Sequence, residues 1–172
     1  MRIALIVGHS KESQGAVNKK SMTTEFNYNN RLVPLISESL TELGVDNVIV
    51  YRDTYAGLPK KVNATGADIA IEFHANAALN LSATGSETLY WHTSEKGKEL
   101  AQSLQNQVID CLNLRNRGLK PITPEGRGAH LLRKTSMPCV ILEPFFISND
   151  DDLKHAEDQI ERLAEAVVVW GS

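Results

Sequence analysis

Apolar and polar positions along this chain follow two periods. Short aliphatic runs at residues 2–7, 48–51, 67–76, 87–91 and 137–142 are bounded by Gly, Pro or polar residues and predict strands. The first and last read as buried central strands, because an unbroken aliphatic run suits a sheet covered on both faces. Between them the spacing turns helical. Thr23 or Thr24 is placed to cap a helix with Leu32, Ile36, Leu40 and Leu43 on its core face and Gly44 as its stop. Pro34 predicts a kink or a second start inside it. Residues 58–65 predict a short helix ending at Gly66. Ser94 opens another with Leu100, Ala101, Leu104, Val108 and Leu112 on one face, and Asn149 or Asp150 caps a final helix carrying Leu153, Ile160, Leu163, Ala164 and Val167.

Strands alternating with helices predict an α/β fold, a three-layer sandwich with a mostly parallel, mixed central sheet flanked by helices. Residues 11–21 and the Gly, Pro and Arg-rich residues 115–127 read as loops, the second long enough to suggest a functional one. A length of 172 residues, 42% hydrophobic, suits one domain spanning 1–172. A net charge of -3 without a basic tract argues against nucleic acid or an anionic membrane surface as main partner. Cys111 and Cys139 have apolar neighbours and read as buried free thiols of a protein made in a reducing compartment. The run after Met1 is too short for a signal-peptide core, and Val167-Val168-Val169-Trp170 is too short to span a bilayer. The expectation is a cytoplasmic protein without a signal peptide, released by other means if it acts outside.

The alternation in 67–76 has a chemical consequence. Ile71 and Phe73 share one face of that strand while Glu72 and His74 share the other, at the carboxyl end where open α/β sheets place their ligands. His9 follows the first strand, Glu25 lies in the first turn of the first long helix, and Glu143 ends the last strand just before Pro144. Parallel strands gather such ends on one edge. Two histidines and a carboxylate are the ligand set of a catalytic zinc with an open fourth position, and an unbound carboxylate supplies a general base. The same positions also suit a hydrogen-bonded structural histidine and a helix-dipole carboxylate, and there is no His-Glu-x-x-His signature to decide.

A run of motifs adds to this reading: Val7-Gly8-His9, Glu25 opening a helix, Gly66-Ala67-Asp68 leading to His74-Ala75-Asn76, Arg117-Gly118-Leu119-Lys120, Leu131-Leu132-Arg133, Met137-Pro138, and Glu143-Pro144-Phe145-Phe146-Ile147-Ser148-Asn149. In this order the chain resembles, from end to end, the catalytic domain of the zinc-dependent N-acetylmuramoyl-L-alanine amidases. The resemblance implies one zinc ion on His9, Glu25 and His74, with Glu143 as catalytic carboxylate and peptidoglycan as substrate. A lone catalytic domain with no export signal or wall-binding module looks like a phage or prophage endolysin, expected to stay in the cytoplasm until a holin opens the membrane, with an exported wall-remodelling amidase as the second reading. A zinc peptidase or deacylase on another amide, or a wall-binding module without catalysis, are the alternatives.

Two departures from the family pattern stand out. Ser10-Lys11-Glu12-Ser13 follows His9 where glycines are common, and Glu72 occupies a position often held by a small residue. Glu72 either supports the site behind His74 or pairs with a basic neighbour. For substrate contact, Asn76 closes the His-Ala-Asn motif and His130 either lines the groove or is a solvated loop histidine. Arg117, Lys120, Arg127 and Arg133 either meet stem-peptide carboxylates or only keep a long loop soluble, with substrate contact favoured for Arg133 alone because it adjoins the strand leading to Glu143. Phe145, Phe146 and Trp91 read as packing residues, and His92 and His155 as surface residues.

Overall fold

The computed structural model describes residues 1–169. Trp170, the last member of the carboxyl-terminal apolar run, lies outside the described residues. The elements in order are β1 (Arg2–Val7), α1 (Glu25–Glu42), β2 (Asp46–Tyr51), α2 (Leu58–Asn63), β3 (Ile69–Phe73), β4 (Ser86–Trp91), α3 (Glu95–Leu112), β5 (Asn116–Ile122), α4 (Ala129–Lys134), β6 (Cys139–Glu143), α5 (Asp150–Asp158) and α6 (Ile160–Val168). The strands form one sheet in the order β2-β1-β3-β6-β4-β5. All neighbours are parallel except β4 and β6, which run antiparallel.

The alternation along each strand sorts its side chains into two cores. Ile3, Leu5, Val7, Ile71, Phe73, Val140 and Leu142 pack under α1, α3, α5 and α6. Ala4, Ile6, Ala70, Leu89, Cys139 and Ile141 pack under α2 and α4. This is the three-layer sandwich expected. The second, thinner layer has a consequence for chemistry: Glu72, Glu87 and Glu143 continue the same strand faces one residue pair beyond Ala70, Leu89 and Ile141.

Local choices explain the elements. Thr24 caps α1, its hydroxyl accepting the Asn27 N–H at 3.1 Å. The helix runs on through Pro34 rather than restarting there, because Pro34 faces outward and water can take over the freed carbonyl. Leu43, expected on the core face, is the helix cap and is exposed. The expected single final helix is broken at Gln159 into α5 and α6.

The expected loop over 115–127 is corrected most. Residues Asn116–Ile122 form an edge strand beside β4. Its half-buried positions carry no aliphatic alternation to read, Gly118 has a φ of 76° beside a shift in register, and Pro121 is tolerated because an edge strand need not donate every N–H. Both cysteines are free and buried, and burial pushes the Cys139 thiol up to about 12, which makes it inert. No helix among the described residues is long and apolar enough to cross a membrane.

Candidate metal centre

Three parallel neighbours, β1, β3 and β6, bring His9, His74 and Glu143 to one edge of the sheet. Close approach of the first two depends on Gly8. Its N–H donates to the Phe73 carbonyl at 2.9 Å, and a Cβ there would lie 2.3 Å from that oxygen and 2.9 Å from the His74 ring. His9 then turns into the left-handed region with φ 67°, a strained conformation that aims its ring back over the sheet edge. The glycine-free loop behind it closes instead by reciprocal Ser10 and Ser13 backbone hydrogen bonds of 3.0 and 3.2 Å. Gly15, at φ 77°, passes so near that a Cβ would lie 2.5 Å from the His9 ring.

Glu25 reaches this point from the first turn of α1. Its Oε2 lies 3.2 Å from His9 Nε2 and 3.2 Å from His74 Nδ1. The carboxylate is further fixed by backbone donors, with Ala16 N–H at 2.8 Å on Oε1 and Ala75 N–H at 3.2 Å on Oε2. Burial alone would raise its pKa, but the hydrogen bonds and charges of His74 and His9 outweigh that and hold it far below the usual carboxylate range. One ligand atom from each of His9, Glu25 and His74 falls within 4.8 Å of the others, so the group could hold a metal ion.

His74 has a second carboxylate behind it. Its Nε2 lies 3.1 Å from Glu72 Oε2, on the side away from Glu25. Burial disfavours the imidazolium, yet Glu72, Glu25 and Glu143 together raise the His74 pKa well above its ordinary value. So many buried carboxylates around two imidazoles ask for a cation. Oε1 of Glu72 and Oε2 of Glu143 are buried without a partner, which points the same way. The donor set of two imidazoles and one carboxylate, with an open side, fits zinc.

Glu143 is 3% exposed, and burial pushes its pKa up to about 7 against the opposing effects of His74 and Arg127. Its Oε1 pairs with Arg127 at 3.1 Å. These groups line a cavity of about 270 Å³ with His9, Glu25, Glu72, His74, Glu143, Arg52, Tyr55 and Arg127 in its wall.

The remaining expected contacts fall differently. Asn76 is buried, its amide donating to Glu87 Oε1 at 2.9 Å and its backbone bridging to Phe145 and Ile147, so it braces the site from the side. His130 binds the Ala56 carbonyl at 3.1 Å and packs on Tyr55, steadying the rim rather than lining the cavity. Arg133 is exposed on α4 and lies outside this cavity, beside a separate groove with Trp91, Ser94, Met137 and Cys139, at the start of β6 rather than at its Glu143 end. His155, expected at the surface, is half-buried and hydrogen-bonds the Leu112 carbonyl at 2.8 Å. Phe145 and Phe146 are packing residues as expected.

Two residues of the cavity region carry little signal in the sequence. Arg127 reads as one of several loop charges, although Gly126 and Gly128 on either side mark a tight approach. Glu87 starts β4, and because β4 is antiparallel to β6 its beginning, not its end, meets Glu143 in register. Orientation of that strand carries no signal in the sequence.

The profile of the N-acetylmuramoyl-L-alanine amidase family matches residues 3–169. The chain belongs to that family. Among relatives within the amidase family's reach, LytC of Bacillus subtilis, an N-acetylmuramoyl-L-alanine amidase, is 27% identical over 93% of this chain and 32% of its own length. LytH of Staphylococcus epidermidis is 31% identical over 98% of this chain and 56% of its own. The chain thus spans only about a third to a half of these relatives. Of solved amidase structures, an N-acetylmuramoyl-L-alanine amidase from Clostridium difficile 630 superposes with a TM-score of 0.86 at 26% identity, covering 99% of this chain and 94% of that one. The catalytic domain of the CD27L endolysin targeting Clostridia Difficile gives 0.83 at 27%, covering 99% and 96%.

Proposed function

We propose that this chain is a zinc-dependent peptidoglycan hydrolase that cleaves the amide between the lactyl group of N-acetylmuramic acid and the L-alanine of the stem peptide. The observation that carries the reading is the His9, Glu25 and His74 cluster facing the same cavity as the buried, proton-poised Glu143. His9 Nε2, Glu25 Oε2 and His74 Nδ1 would hold the ion. Zinc, when bound, supplies a Lewis acid that polarises a carbonyl and acidifies water.

The protein's own residues do the rest. Glu143 takes a proton from the attacking water as its oxygen bonds to the scissile carbon. It then gives that proton to the nitrogen as the carbon–nitrogen bond breaks, leaving a lactyl carboxylate and a free L-alanine amino terminus. A pKa of about 7 suits both transfers at neutral pH. Burial of Glu143 keeps bulk water from exchanging the proton first.

Within this reading we also propose a lytic enzyme held in the cytoplasm until a pore releases it to the wall, a role with which the likeness to an endolysin catalytic domain is consistent. Digestion of purified sacculi, with mass spectrometry of the fragments, tests the chemistry. New L-alanine amino termini are expected, and new termini elsewhere in the stem would make it a peptidase instead. Lysis of a host only when a pore-forming protein is co-expressed would support the lytic role.

A further inference from the structure

The cavity is charged in two zones. Glu25, Glu72 and Glu143 are buried carboxylates of its floor, whereas Arg52 and Arg127 bring positive charge to its wall. Arg52 lies over the Tyr55 ring at 5.8 Å, part of the rim that His130 steadies.

Arg127 differs in kind from the arginine beside it. Arg117 is fixed: its side chain is 32% exposed, donates to Glu87 Oε2 at 2.9 Å and lies over the Phe146 ring at 4.9 Å. The Arg127 side chain is 57% exposed and spreads over three acceptors, Glu143 Oε1 at 3.1 Å, Glu87 Oε1 at 3.3 Å and Asn76 Oδ1 at 3.4 Å. Glu87 and Asn76 have other donors, since Asn76 Nδ2 reaches Glu87 Oε1 at 2.9 Å and the Ala77 N–H reaches Asn76 Oδ1 at 3.0 Å. Arg127 can therefore leave those two without stranding them, whereas Glu143, whose Oε2 is already without a partner, gives up its pairing at Oε1 in the exchange. It grips no carboxylate with both arms of its fork, the geometry a guanidinium favours.

Resting on the amidase reading above, we infer that Arg127 forms a carboxylate-binding subsite, exchanging Glu143 for a free carboxylate on the stem residue that follows the L-alanine. The arrangement matches such a substrate, with the scissile amide at the acidic floor and the carboxylate at the basic rim. Arg127 is thus a specificity residue at the rim of the cavity.

The test uses the zinc-loaded chain and two synthetic muramyl peptides, identical except for a carboxylate or a carboxamide on the second stem residue. Turnover is followed by mass spectrometry, and binding of the corresponding free peptides by calorimetry, in wild type, Arg127→Ala and Arg127→Lys. Wild type is expected to favour the acid form by roughly tenfold or more, the worth of one charge-assisted pair. Arg127→Ala should bring the ratio close to one, mainly through KM for the acid form, and Arg127→Lys should keep part of it. No preference in wild type, or a preference that survives in Arg127→Ala and Arg127→Lys alike, would overturn the subsite. If neither substrate is turned over, the amidase reading fails, and the peptide-binding ratio still decides the subsite.

Discussion

Glu72 Oε2 lies 3.1 Å from one ring nitrogen of His74, and Glu25 Oε2 lies 3.2 Å from the other. The two carboxylates divide the imidazole between them. Glu72 favours a proton on Nε2, which leaves the Nδ1 lone pair turned toward His9 and Glu25. A residue two positions upstream on the same strand face thereby decides which nitrogen is offered to an ion.

Glu72→Gln and Glu72→Ala are accordingly expected to weaken zinc binding by about 10- to 100-fold, the usual worth of such a partner. Competition with a chromophoric chelator reads this without reference to turnover. Unchanged affinity in both variants would leave Glu72 as no more than a neighbour of His74.

A pH dependence follows from Glu143. Its pKa of about 7 in the folded protein, against an ordinary 4.5, means that the folded state holds its proton more tightly than the unfolded one. In the metal-free protein this group therefore erodes stability as pH rises from 4.5 through about 7. Glu143→Gln removes that slope and should gain on the order of 3 kcal/mol above the window, at about 1.4 kcal/mol per pKa unit, with little change below it. Denaturant melts at pH 4 and pH 8 would show the gain only at the higher value. The same variant should lose turnover, so stability and activity move in opposite directions.

Gly15→Ala is expected to damage the site from the loop side. The added methyl must adopt a φ of 77° and meet the His9 ring at 2.5 Å. Strain of this kind costs about 1–3 kcal/mol, and displacement of His9 should also lower zinc content. Thermal melts and metal analysis of one preparation check both. An alanine at Gly44, where nothing lies within 4 Å, should cost conformational strain without metal loss.

Much of this site was legible in the sequence because parallel strands keep their carboxyl ends together. His9, His74 and Glu143 each ended a readable aliphatic run, and Glu25 followed a readable cap at Thr24. What stayed hidden depended on direction or on packing between distant segments. Asn116–Ile122 lacked the alternation of a buried strand because it forms the sheet's edge, and the antiparallel course of β4 that delivers Glu87 has no local signature. Proximity to β6 in sequence favours Arg133 over Arg127. Arg133 meets β6 at its start, beside Cys139, whereas Arg127, next to Gly128 at φ 80°, reaches Glu143 at its end.

The central claim is that His9, Glu25 and His74 hold a zinc ion for which Glu143 serves as base. It is tested most directly by measuring zinc content and muramyl-L-alanine cleavage together in wild type, His74→Ala and Glu143→Ala. The account predicts about one zinc per chain with cleavage in wild type, loss of both in His74→Ala, and zinc retained without cleavage in Glu143→Ala. Full cleavage by Glu143→Ala, or undiminished zinc in His74→Ala, would contradict it.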